Sequence, residues 1–109
     1  MVDVERMRAD LFAARKQRDK VTEAALKRCL AALENAEAPP AQDRVNLAGG
    51  ARRPTEVARL VLSEDDRVAV LAAEIAEAAI AAEQYEAGGH RDAAERLRAE
   101  TAVIATYLP

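Results

Sequence analysis

Two apolar seams separated by a pair of glycines constrain this chain most. From Ser63 onward, Val68, Leu71, Ile75, Ala78, Ala82 and Tyr85 recur three and four residues apart, a heptad-like helical pattern. Gly88-Gly89 follows and supplies the left-handed residue that stops a helix, with His90 and Arg91 close to its negative pole. Ala94, Leu97, Thr101, Ile104 and Leu108 then form a second seam, in a helix that opens around Asp92. So short a glycine turn between two such helices predicts an antiparallel helical hairpin over residues 63–109. Ser63 and Asp66 stand at the reciprocal positions of a capping box, and Glu64, Asp65 and Asp66 favour the positive pole of the helix they open.

The N-terminal third repeats the pattern. Val4, Met7, Leu11 and Ala14 share one face of a helix beginning near Asp3, a natural N-cap. Ala25 or Leu26, Cys29, Leu30 and Leu33 mark a second helix that ends before Pro39-Pro40. Between the two lies Arg15-Lys16-Gln17-Arg18-Asp19-Lys20, without Gly or Pro, so a bend and a merged helix both remain open. Residues 38–62, with Gly49-Gly50 and Arg52-Arg53-Pro54, read as a linker whose last apolar residues Val57, Leu60, Val61 and Leu62 can dock on the core. Alanine supplies 27 of the 109 residues, while the aromatics are Phe12, Tyr85 and Tyr107. Small side chains suit helices that approach closely and disfavour a sheet. The expectation is one all-α domain over 1–109: a helical pair in 1–37, the linker, and the C-terminal antiparallel hairpin.

Charge and chemistry narrow the function. The net charge of −3 disfavours nonspecific coating of nucleic acid or an anionic membrane. Residues 63–109 hold 10 Asp/Glu against 4 Lys/Arg, so any basic patch lies N-terminal. One cysteine makes no intrachain disulfide, and no apolar run reaches the ~20 residues of a membrane span, so a soluble, cytoplasmic protein is expected. One His, one Ser, one Cys, no glycine-rich phosphate loop and no metal-ligand spacing assemble no nucleophile, base and oxyanion donor. No catalytic residue, metal or cofactor is expected. Cys29 reads as core, His90 as a turn residue and Ser63 as a cap.

Four blocks in order carry a resemblance. Tyr85-Glu86-Ala87-Gly88-Gly89-His90-Arg91-Asp92, then Ala94, Glu100 and terminal Tyr107-Leu108-Pro109, resemble the Y-E-x-A-G-R-x-D … E-x-x-x-L-x-x-Y-L-P signature of YqeY-like proteins. Ala13-Ala14-Arg15-Lys16-Gln17-Arg18-Asp19-Lys20 is similar to their A-M-K-A-K-D-K, and Leu30-Ala31-Ala32-Leu33-Glu34-Asn35-Ala36-Glu37 to their L-x-A-A-I-x-N-A-E. Thr55-Glu56-Val57 through Leu62-Ser63-Glu64-Asp65-Asp66 resembles the actinobacterial form. Ile104 matches the signature leucine only roughly in register. The family belongs to the GatB/YqeY superfamily, named jointly for the tail of the B subunit of the tRNA-dependent amidotransferase. Members continue past Tyr-Leu-Pro into a second small helical domain associated with tRNA, so the resemblance is to the N-terminal domain alone. It implies a helical module linked to a carbon-nitrogen ligase activity that uses glutamine as amide donor, with tRNA or an amidotransferase-like protein as partner.

The residues offer two kinds of contact. Arg15, Lys16, Arg18, Lys20, Lys27 and Arg28 place cations on successive helical turns, as repeated phosphates require. Against this stand Asp19 and Glu23 among them, the natural i,i+4 pairing of Glu23 with Lys27, and no interleaved aromatic to stack bases. Tyr85 and Tyr107 end their helices, where they cover the rim of the core or anchor a partner. A second function class is therefore protein interaction or self-association as a homodimer, since a small domain with few large side chains gains burial from a partner.

Overall fold

The computed structural model describes residues 1–38 and 60–109, which form four helices and, among the described residues, no strand. The helices are α1 (Val4–Gln17), α2 (Lys20–Glu37), α3 (Glu64–Ala87) and α4 (Arg91–Ala105). α3 and α4 pack together most extensively, α1 packs on α2, and α2 touches all three others. The expected hairpin therefore lies against the N-terminal pair through α2. The core joins Met7 of α1, Leu26, Cys29 and Leu33 of α2, Leu71 of α3, and Ile104 and Tyr107 at the end of α4. Each fully buried Leu, Ile or Met contributes roughly 1.5–3 kcal/mol relative to exposure. Ala78, Ala82 and Ala94 are buried, so the alanine positions of the two seams lie inside the molecule.

Local chemistry sets the element ends. Asp3 caps α1 by accepting from the Arg6 N–H at 3.0 Å. Ser63 and Asp66 complete the capping box of α3, with both bonds at 3.0 Å. Gly89 takes φ +85° and turns the chain back. The following helix starts at Arg91, one residue earlier than the sequence suggests, because the His90 backbone stands at the N-cap and accepts from the Ala94 N–H at 3.1 Å. Tyr85 leaves its seam and keeps 45% of its surface exposed. It lies in the last turn of α3, where its ring meets His90 of the following turn.

The question left open between α1 and α2 is settled by a two-residue break. Arg18 adopts a left-handed conformation, φ 58° and ψ 33°. Asp19 then accepts from the Thr22 N–H at 3.1 Å and from its hydroxyl at 2.7 Å, which starts α2. These bonds hold the Asp19 carboxyl below its ordinary value, the Thr22 hydroxyl being the strongest cause.

Most of the expected linker, residues 39–59, lies outside the described residues. At its ends α2 closes at Ala38, and the Leu60 N–H donates to the Glu37 carbonyl at 2.7 Å. Leu62 packs on the core as expected, whereas Val61 is 95% exposed. Two further ties hold the start of α3. The Val2 N–H donates to both Glu64 carboxylate oxygens at 2.9 and 3.1 Å, and Arg67 donates to the Leu62 carbonyl at 2.7 Å.

Candidate functional site

The six candidate cations, Arg15, Lys16, Arg18, Lys20, Lys27 and Arg28, are not equivalent once folded. Arg15 pairs with Glu23 at 3.3 Å across the α1–α2 turn, and Lys20 pairs with the other Glu23 oxygen at 3.7 Å. Glu23 thus bridges Arg15 and Lys20 instead of meeting Lys27 one turn on, because the helical break brings α1 beside it. Arg28 is drawn inward to Glu100 at 2.9 Å, with Arg96 at 3.8 Å from the second Glu100 oxygen. Glu100 is 5% exposed, so the pair is committed to the α2–α4 contact. Among the described residues, Lys16, Arg18 and Lys27 have no carboxylate within ion-pair distance, and Arg18 and Lys27 are exposed.

An aromatic does stand among the cations. Phe12 is 60% exposed, and Lys16 Nζ sits over its ring, 4.6 Å from the centroid. This corrects the expectation that no aromatic is interleaved with them. The signal was its phase: Phe12 falls one turn after Arg8 and one turn before Lys16, on the helical face opposite Met7, Leu11 and Ala14. The outward strip of α1 therefore carries Arg8, Phe12, Arg15 and Lys16, with Glu5 bound to Arg8 at 2.7 Å.

The two tyrosines part company. Tyr85 is exposed and meets His90 edge-to-face, ring centroids 6.1 Å apart. Tyr107 is 7% exposed; its hydroxyl donates to Asp10, and the Arg6 guanidinium lies over its ring at 5.0 Å from the centroid. Arg6 also approaches Asp10 at 3.6 Å. These contacts fasten the end of α4 to α1, which gives Tyr107 a packing role, whereas Tyr85 stays exposed. Burial, then the Asp10 bond and charge, push the Tyr107 phenol up to about 12.

A groove of about 380 Å³ opens beside this cluster, lined by Asp10, Gln17, Asp19, Thr22, Thr106 and Tyr107 among others. Two carboxylates in its wall, Asp10 and Asp19, disfavour a phosphate there. Cys29 lies in the core; burial, with the Glu74 carboxylate second and Arg28 opposing, raises its thiol to about 11. A thiol so raised is not a nucleophile at neutral pH. Ser63 is occupied as a cap, and among the described residues no cluster of His, Cys, Asp or Glu has metal-holding geometry. No helix among the described residues is long and apolar enough to cross a membrane.

Such an arrangement defines an all-α fold of four helices among the described residues. The chain belongs to the Yqey-like protein family, whose profile matches residues 4–109. Neither a curated protein nor a solved structure matches it.

Proposed function

We infer that this domain is a non-catalytic contact module that serves tRNA-dependent amide transfer, the carbon-nitrogen ligase chemistry to which the superfamily resemblance points. The observation that carries this reading is the commitment of each reactive side chain to structure. Cys29 is buried with a raised thiol, Ser63 caps α3, and His90 turns the chain beside Tyr85. With no activated nucleophile, amidase chemistry has no starting point in the described residues. The exposed Lys16, Arg18 and Lys27, with Arg15 and Lys20 half engaged by Glu23, form the surface that meets RNA or an amidotransferase-like protein.

The purified protein is expected to release no ammonia from glutamine and to amidate no charged tRNA alone. Addition to an amidotransferase acting on its charged tRNA is expected to change the rate or the apparent tRNA affinity. Amidation by the isolated chain, or indifference of the amidotransferase together with tRNA binding no stronger than to a neutral polymer at low salt, overturns the reading. Tyr85, exposed on the hairpin, supports a second reading as a protein-interaction or self-association surface. In that case sedimentation shows a dimer that Tyr85→Ala weakens.

A further inference from the structure

We propose that the outer strip of α1 is a short single-stranded nucleic-acid site in which Phe12 stacks on an unpaired base while Lys16 and Arg15 meet the flanking phosphates. Three observations carry it. Phe12 is an exposed aromatic on a helix whose Met7 and Ala14 are buried, so its position serves no core contact. A helical turn advances 5.4 Å, a step on the scale of successive phosphates in an extended strand, and Arg8, Phe12 and Lys16 follow one another at that interval. Lys16 Nζ, moreover, covers one face of the ring with no carboxylate partner among the described residues, so its charge stands beside a base stacked on the face that stays open.

An aromatic beside cations is the arrangement that binds unpaired nucleotides without sequence preference, the ring taking the base and the cations the backbone. A duplex keeps its base faces stacked on one another, which gives Phe12 nothing to stack on. An acidic protein is a poorer occupant. It satisfies the cations, but it does not explain an exposed ring with an ammonium poised over it. The proposal rests on the contact reading above in one respect, that the α1 cations meet an anion, and it names the form of that anion.

The 109 residues contain no tryptophan, so Phe12→Trp installs one tryptophan at the site, excited selectively above the absorption of Tyr85 and Tyr107. Short oligouridylate and oligoadenylate are expected to quench it, whereas inorganic polyphosphate of equal charge and an RNA duplex of equal length are not. By anisotropy with labelled oligonucleotide, Phe12→Ala is expected to weaken binding about tenfold. Its polyphosphate binding stays unchanged and its helical circular dichroism is retained. Lys16→Ala is expected to lower the salt slope by about one for both ligands. Equal oligonucleotide binding by Phe12→Ala and the parent, no preference for single strands over polyphosphate, or no binding at all overturns the proposal. If intact tRNA is bound but Phe12→Ala is indifferent, the contact reading survives and this site fails. If oligonucleotides bind through Phe12 yet amide transfer is unaffected by the protein, the site stands and the role in amide transfer fails.

Discussion

Tyr107 works by giving one well-placed bond, and Glu100 by accepting one from Arg28 with Arg96 near its second oxygen. Replacing Tyr107 with Phe removes the donor to Asp10 while keeping the ring under Arg6. Since Asp10 retains Arg6 and some water, the loss is expected to be about 1 kcal/mol, read from the denaturant midpoint. Glu100→Gln leaves Arg28 without its charged partner in a largely buried contact. Breaking a fully buried pair costs about 3–5 kcal/mol, but Arg28 is partly exposed and can turn to water, so roughly 1–2 kcal/mol is expected. Neither residue's role follows from sequence. Tyr107 lies 97 positions from Asp10 and Arg28 lies 72 from Glu100, distances across which periodicity carries no information.

Within elements, caps and seams were legible and the break between α1 and α2 was not. Asp3, Ser63 with Asp66, and Gly89 are residue types whose backbone preference or side-chain reach fixes a helix end, so their places could be read directly. Arg18 has no such preference; it takes the left-handed region, at a cost on the order of 1 kcal/mol, because Asp19 and Thr22 lock the next helix behind it. The Asp19 cap was the readable clue. The fate of the cations was hidden for the same reason, since Glu23 could meet Arg15 only after the chain had turned. The seam alanines yield a sharper test. Ala82→Leu is expected to cost about 1–3 kcal/mol by overpacking the hairpin, while Ala76→Leu on the exposed face of α3 stays within about 0.5 kcal/mol. Equal midpoints for the two variants would refute the close approach of α3 and α4. Ser63→Ala is expected to cost about 1 kcal/mol through the lost cap. The Asp66 carboxyl, lowered chiefly by the Ser63 N–H, contributes stability above its ordinary 3.8 and loses it as pH falls through the folded value.

At the scale of the whole molecule, two raised acids set an alkaline limit. Cys29 and Tyr107 both favour their protonated forms when folded, at about 11 against 9.0 and about 12 against 10.0. Their stabilisation is complete below the unfolded values and is lost as pH rises through 9 to 12. The denaturation midpoint is therefore expected to fall from pH 9 upward, and Tyr107→Phe is expected to flatten the upper part of that fall. The bond from Leu60 to Glu37 bears on how this fold tolerates change. It holds the end of α2 beside the approach to α3, so the two ends of any insert placed between them start close together. For a flexible insert the closure entropy grows by only about 0.6 kcal/mol per doubling. That junction is thus a port where a foreign domain can be grafted while the four helices keep their arrangement.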